Sequence, residues 1–285
     1  MFRASSQSEK SQAFSNVRNS SGMLLGAMIL GAITGWSGGC SSMQSLHSAS
    51  VTIFVDGAGN LGHGASDLKE RFAAAGFETS VEEFIWSPTF NPLLDQLNVK
   101  AAHRKADSLA ERIRTIRRNN PESQLNLVAF SAGTGVAVWA CEQLDATATV
   151  DNLVLFGSSL SHDYDLTRAA ANVRDNVVAF HSPKDAVLKL VRVVGTIDGK
   201  RGVAAGGLVG FSCGLRGKVV NVPWRPQWAP MGWNGGHSDS TAPGLVQGVL
   251  VGLLTSDPSE VVRAQLLEPE SLPMAANGTV ATIGL

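Results

Sequence analysis

The sequence lacks the signatures of several common classes of protein. It has no H-E-x-x-H motif and no paired-cysteine spacing, so no metal site is predicted. It has no phosphate-loop sequence and no well-placed dinucleotide fingerprint, so we expect no cofactor. The net charge is −1, without a run of one sign, and this gives no electrostatic footprint for binding nucleic acid.

Cysteine is also scarce, with three residues in the whole chain. Cys141 lies near the end of a predicted helix, and Cys213 lies in a glycine-rich loop. In an exported protein these two cysteines could form one disulfide. The alternative is two buried thiols, since a free cysteine packs like a small apolar residue. The sequence leaves both possibilities open.

The N-terminus has the pattern of an export signal. Residues 1–22 are serine-rich and carry three basic side chains against the single acid Glu9. Residues 23–36 form an apolar run without charge, which is too short to span a bilayer comfortably. A basic start, a short apolar run and small residues after it are typical of a secretory signal. We therefore predict that residues 1–39 are a signal peptide.

The residues that follow the apolar run carry a second motif. Cys40 comes directly after two glycines and resembles the cysteine of a bacterial lipobox. The third residue before it is Ser37, where that motif usually has leucine. The resemblance implies that Cys40 is lipidated, so that the exported protein is a membrane-anchored lipoprotein of the cell envelope. Residues 40–50 then form a linker.

Apolar runs alternate with amphipathic stretches over residues 51–254. Strands are predicted at 51–55, 78–86, 125–130, 153–156, 176–180 and 219–222. Helices are predicted at 65–75, 100–118, 132–144 and 245–254, the last with Thr241 as N-cap. Alternating strands and helices indicate an α/β fold, with a mostly parallel β-sheet and helices on both faces. One domain is predicted, followed by a tail at 255–285.

The pentapeptide AFSAG, residues 129–133, lies where a predicted strand ends and a helix begins. A serine hydroxyl is a weak nucleophile until a base removes its proton. A sharp strand-to-helix turn would lift the hydroxyl of Ser131 above the sheet edge at a cost in backbone strain. Such a turn needs small residues on both sides, which Ala129 and Gly133 supply. The start of the helix directs N–H groups at developing negative charge.

This segment resembles the G-x-S-x-G nucleophile elbow of the α/β-hydrolase superfamily, with Ala129 in place of the first glycine. In that superfamily the chain order is nucleophile, acid and histidine. The resemblance implies that Ser131 is the nucleophile, Asp185 the acid after the fifth strand, and His237 the base before the last helix. It also implies a minimal α/β-hydrolase fold.

Other residues could fill two of these roles. His181, His162 and His63 are alternatives for the base. Asp239 and Asp198 are alternatives for the acid, although Asp239 is better explained by the preference of carboxylates for helix starts. These alternatives stay open at the level of sequence.

The resemblance further implies an oxyanion hole. The expected donors are the backbone amide of Ala132 and that of Gly57 or Ala58, after the first strand. Glycines in this loop let N–H groups approach a ligand closely. The superfamily often has His-Gly here, whereas this chain has Asp56 before Gly57. Asp56 either orients the loop through hydrogen bonds or indicates a hole that is built differently.

Four large side chains come shortly before His237. Trp224, Trp228, Met231 and Trp233 could line an acyl pocket beside the base. The alternative is that they fill the rim of the core, and the sequence favours this second interpretation.

Together these observations predict a serine hydrolase that cleaves a carboxylic ester or related acyl compound through an acyl-enzyme on Ser131. The expected partners are a small-molecule or lipid ester and, through the anchor, a membrane, but no nucleic acid. The departures at Ala129 and Asp56 motivate an alternative: a non-catalytic α/β-hydrolase-fold lipoprotein with a binding or structural role. Ester, thioester and amide substrates all remain open.

Overall fold

A computed structural model describes residues 50–62, 64–214, 217–255 and 281–282. The described residues belong to one unit, Leu46–Leu285. The predicted signal peptide and Cys40 lie outside the described residues, as do most of the predicted linker and tail. None of the described helices is both long and apolar enough to cross a membrane.

The described strands form one sheet in the order β2-β1-β3-β4-β5-β6-β7, and every neighbouring pair is parallel. The predicted α/β class with a mostly parallel sheet is therefore confirmed. Strand β1 lies between β2 and β3. The chain runs from β1 to β2 on one side and then returns past β1 to β3 on the other, so the strand order reverses beside β1. Ligands of such sheets bind at this reversal, beyond the carboxyl ends of the strands. The strands are β1 Ser50–Val55, β2 Thr79–Glu83, β3 Leu125–Phe130, β4 Asn152–Phe156, β5 Val177–His181, β6 Val219–Pro223 and β7 Ala281–Thr282.

Helices connect most of the strands. Two 3₁₀ helices, Pro226–Met231 and His237–Thr241, and a π-helical stretch, Val246–Leu250, lie near the end of the described chain. The α-helices are α1 Gly64–Ala74, α2 Pro92–Leu97, α3 Val99–Asn119, α4 Gly133–Glu142, α5 Thr167–Ala171, α6 Ala186–Val194, α7 Gly206–Val209, α8 Pro243–Leu245 and α9 Val251–Leu254.

Each face of the sheet has its own core. Successive side chains of a strand point to opposite faces, so Leu127 and its neighbour Val128 on β3 belong to different clusters. Leu127 packs in the cluster of α3, α4 and α5, which includes Ile113. Val128 packs in the cluster of α1 and the last helices, which includes Phe72 and Leu250. The three layers hold the carboxyl ends of the strands at one edge.

Local details differ from the sequence predictions. Helix α2 was not predicted; Pro92 opens it at its first turn, where the missing N–H costs nothing. The predicted N-cap Thr241 is wrong: Ala242 precedes α8, and the Thr241 hydroxyl donates to Asp67. Cys141 is buried and Cys213 half-buried, and both thiols are free.

Candidate active site

Ser131 lies at the sharp turn between β3 and α4. Its φ is +52°, a left-handed conformation that is strained for a residue with a side chain. Its backbone N–H donates to the Phe156 carbonyl at 2.9 Å, which ties the turn to the end of β4. A methyl group on Gly133 would lie 2.1 Å from the Asp56 carbonyl oxygen. Glycine is therefore required at position 133, because the loop after β1 approaches its backbone closely.

The structure brings the three predicted side chains into one hydrogen-bonded array. The distance from His237 Nε2 to Ser131 Oγ is 2.9 Å. The distance from His237 Nδ1 to Asp185 Oδ2 is 2.6 Å. Since a carboxylate can only accept, Nδ1 carries the proton, and Nε2 is left to accept from the serine hydroxyl. This arrangement can remove the Ser131 proton as the oxygen attacks an electrophile.

Asp185 has a second structural task. Its Oδ1 accepts from the Leu188 amide at 2.9 Å, so it is the N-cap of α6. Its Oδ2 faces His237, and only 2% of the residue is exposed. The cap fixes the orientation of the carboxylate before any substrate binds. Sequence reasoning did not predict α6, and so it did not foresee this cap.

The loop that carries His237 is fixed by a neighbouring acid. The Asp239 carboxylate accepts from the amides of Asn234 and Gly236 at 2.8 and 2.9 Å. Asp239 thus stabilises the 3₁₀ helix His237–Thr241 at its start, and the carboxylate that bonds to the imidazole is that of Asp185. The ring of Phe130 packs on His237, with centroids 4.8 Å apart.

Gly157, which sequence reasoning missed, completes the surroundings of the imidazole. Its φ is +51°, and a Cβ there would lie 3.5 Å from His237 Nδ1 and 3.6 Å from Asp185 Oδ2. A larger side chain would therefore press on the acid–base pair. The sequence signal that could have identified it is a glycine directly after the fourth strand, because parallel sheets place functional residues at the carboxyl ends of their strands.

The alternative residues lie in other settings. His181 is buried, and burial lowers its pKa to about 4, so its ring is neutral in the folded protein. The backbone of His162 bonds to Ala204 and Ser212. Asp198 accepts from the amide and hydroxyl of Ser161. His63 lies outside the described residues.

Asp56 organises the loop after β1. Its Oδ1 accepts from the Gly57 amide at 2.7 Å and its Oδ2 from the Gly62 amide at 2.9 Å. The Gly57 N–H is therefore committed to Asp56, which disfavours it as an oxyanion donor. The amides of Ala58 and Ala132 donate to no other described residue. Of the predicted donors, Ala58 and Ala132 are thus the pair that could bind a substrate oxygen.

A buried polar network holds the loop after β1 in place. The Gly59 amide donates to Ser87 Oγ at 2.8 Å, and the Ser87 hydroxyl donates to the Asp95 carboxylate. Asp95 also accepts from Thr89 Oγ1 at 2.7 Å. The Trp86 indole N–H donates to the Asp56 carbonyl at 2.7 Å. No sequence pattern indicates this network, because it joins residues from three separate segments: the loop after β1, the segment after β2, and α2.

Ser131 and His237 open into a cleft of about 430 Å³. The tryptophans before His237 do not line it: Trp228 and Trp233 are buried in the core, and Trp224 packs against them. The rim-of-core interpretation of these side chains therefore holds. The walls of this cleft include Ala58, Leu61, Leu93, Phe130, Val187 and Leu190. No group of three or more potential metal ligands occurs among the described residues.

Comparison with known proteins agrees with this fold. A family model described as alpha/beta hydrolase matches residues 49–194, and the chain belongs to this family. The matched region contains Ser131 and Asp185 and ends before His237. No curated protein sequence matches the chain.

Several solved structures are similar at low identity. A Trichoderma reesei cutinase in complex with a phosphonate inhibitor is 22% identical with a TM-score of 0.35, covering 46% of this chain and 60% of the cutinase. Aspergillus fumigatus lipase B is 14% identical with a TM-score of 0.42, covering 76% and 55%. A cutinase-like protein from Cryptococcus sp. is 18% identical with a TM-score of 0.37, covering 71% and 94%. The family assignment rests on the family model.

Proposed function

We propose that this protein is a serine hydrolase that cleaves a carboxylic ester through an acyl-enzyme on Ser131. The observation that carries the proposal is the continuous hydrogen-bonded array from Ser131 Oγ through His237 to Asp185. A strained backbone at Ser131 and two unengaged amides beside it support the same chemistry.

In the first half-reaction Ser131 Oγ attacks the ester carbonyl carbon while His237 Nε2 takes the hydroxyl proton. The carbonyl oxygen becomes negatively charged, and the amides of Ala58 and Ala132 stabilise it by donating hydrogen bonds. The C–O bond to the alcohol then breaks, and the imidazolium gives its proton to the departing oxygen. Asp185 stabilises the imidazolium and holds its orientation. An acyl-enzyme and a free alcohol result.

In the second half-reaction water takes the place of the serine hydroxyl. His237 accepts a proton from the water, whose oxygen attacks the acyl carbon. The new tetrahedral species uses the same two amides, and its collapse returns the proton to Ser131 Oγ. The products are a carboxylic acid and the original enzyme. Every proton in this cycle moves through His237 Nε2.

The test uses a fluorophosphonate probe and an activated ester on the full chain. We expect wild-type protein to be labelled and to hydrolyse the ester. Ser131→Ala should remove the label and lower kcat by about 10⁴-fold or more. Ser108→Ala, an exposed serine on α3 whose hydroxyl bonds only to its own helix, is the matched control and should keep both. A folded wild-type protein that takes no label and cleaves no ester would leave the non-catalytic alternative.

A membrane location is a separate proposal that rests on the lipobox resemblance at Cys40. A lipid on this residue would hold the domain at a membrane surface without a spanning helix. In membrane fractions of expressing bacterial cells, Cys40→Ala should move the protein to the soluble fraction, whereas Cys213→Ala should not. Equal membrane retention of the Cys40→Ala protein would contradict lipidation.

A further inference from the structure

Helix α2 has an inverted distribution of side chains. Leu93 is 54% and Leu94 57% exposed, whereas Asp95 is fully buried and Gln96 almost so. A surface helix normally does the reverse, with its apolar side chains toward the core. Exposed apolar side chains that gather in one place mark a site of interaction.

The buried polar side chains of α2 explain why the helix keeps this orientation. Asp95 accepts hydrogen bonds from Ser87 and Thr89. Gln96 Nε2 donates to the Gly195 carbonyl at 3.0 Å, and Gln96 Oε1 accepts from Ser159 Oγ at 3.3 Å. Rotating the leucines inward would break these buried bonds, each of which is costly to lose. The buried hydrogen bonds therefore hold the leucines of α2 at the surface, where a ligand can contact them.

Helix α6 supplies a second apolar wall. Val187, Leu190 and Val193 are exposed and recur every three residues, so they share one face of the helix. Leu188 and Val191 pack inward. Of the ten large apolar side chains that the described residues expose, six lie on α2 and α6.

The two walls meet at the nucleophile. Leu93 of α2 and both Val187 and Leu190 of α6 line the same cleft as Ser131 Oγ. Of the polar side chains in the lining besides Ser131 and His237, Asp56 holds its own loop and Gln96 bonds to the end of α6, which leaves the neutral hydroxyl of Ser238. Beyond the catalytic groups, the cleft thus offers a substrate apolar contact and no unpaired charge.

We propose that the groove between α2 and α6 binds the aliphatic acyl chain of the ester, with the carbonyl carbon at Ser131. This inference rests on the proposed function and names its substrate class. A charged acyl group would find no counter-charge along these walls. An alkyl chain would cover Leu93, Val187 and Leu190, and each methylene that leaves water strengthens binding by up to about fourfold.

The test compares p-nitrophenyl octanoate with p-nitrophenyl acetate, both below their aggregation limits, on the full chain. We expect wild-type kcat/KM to favour octanoate by about tenfold to a hundredfold. Leu93→Ser and Leu190→Ser should each lower this ratio by about three- to tenfold. The matched control is Ile85→Ser, which alters a side chain that is 52% exposed and does not line the cleft. This control should keep the wild-type ratio.

Equal kcat/KM for both esters, or an unchanged ratio in Leu93→Ser and Leu190→Ser, would overturn the acyl groove and leave the serine hydrolase intact. Failure to cleave either ester would instead contradict the proposed function. In that case calorimetric binding of octanamide decides the groove on its own. Binding that weakens in the Leu93→Ser/Leu190→Ser double variant supports the groove, and the absence of binding to wild-type protein overturns it.

Discussion

At the scale of single residues, Ser131 shows how a strained conformation is kept. A left-handed backbone at a residue with a side chain costs on the order of 1–3 kcal/mol. Four bonds oppose this cost: the Ser131 amide donates to the Phe156 carbonyl, and the Ser131 carbonyl accepts from the amide and hydroxyl of Thr134 and from the Ser159 amide. The nucleophile is thus held by β4 and by the segment after it, as well as by its own turn.

His181 gives a prediction about stability and pH. Burial lowers its pKa to about 4 in the folded protein, against 6.5 for an ordinary histidine. The unfolded chain therefore binds a proton near pH 6.5 that the folded protein does not bind until about pH 4. Stability is fully present above this interval and falls as the pH falls through it, by on the order of 3 kcal/mol.

The measurement is the free energy of unfolding by urea between pH 4 and 7. His181→Asn should flatten the slope over this interval, even if the variant is less stable throughout. His162→Asn, which makes the same exchange at a half-exposed histidine, is the comparison variant. An unchanged slope in His181→Asn would show that this imidazole does not resist protonation.

At the scale of elements, α2 is joined to the loop that presents Ala58. Asp95 of α2 accepts from Ser87, and Ser87 accepts from the Gly59 amide. We expect Ser87→Ala to lower kcat about tenfold with little change in KM. The substitution leaves the Gly59 amide without its acceptor, so the adjacent Ala58 amide loses its fixed direction toward the oxyanion. Ser87 is then a positioning residue.

Two further variants separate positioning from a general loss of stability. Ser87→Thr retains the hydroxyl and should restore most of kcat. Thr89→Ala removes another bond to Asp95 without touching the loop, and should lower the melting temperature more than it lowers kcat. If both alanine variants lose kcat in proportion to their melting temperatures, the network only stabilises the fold.

Elements also show what sequence patterns can and cannot predict. The strands and the long helix α3 were predictable, because apolar runs and helical periodicity span enough residues to be distinct. The convergence of Ser131, Asp185 and His237 followed from chain order in a recognised superfamily. Helix α2 was missed because its pattern is inverted. The engagement of Gly57 depends on the side-chain orientation of Asp56, which no pattern records.

At the scale of the whole molecule, one end of the sheet holds the candidate catalytic residues and the other holds a buried ion pair. The nucleophile and the acid follow the carboxyl ends of β3 and β5, and His237 joins them there. Asp151 lies at the other end, just before β4, and is almost completely buried. Its carboxylate accepts from Arg117 at 2.7 Å, from the Leu125 amide at 2.6 Å and from Arg174 at 3.1 Å. It thereby joins the starts of β3 and β4 to α3.

This division predicts that stability and catalysis respond to different substitutions. Asp151→Asn leaves the buried Arg117 without its counter-charge, and should lower the free energy of unfolding by about 3–5 kcal/mol. The melting temperature would then fall by roughly 6–20 °C. Assayed well below that temperature, kcat/KM should match the wild type, because the substitution lies at the far end of the strands from Ser131. Asp163→Asn, which breaks the exposed pair with Lys200, is the control and should cost less than about 1 kcal/mol. A folded Asp151→Asn protein with reduced kcat/KM would show that the two ends of the sheet are coupled.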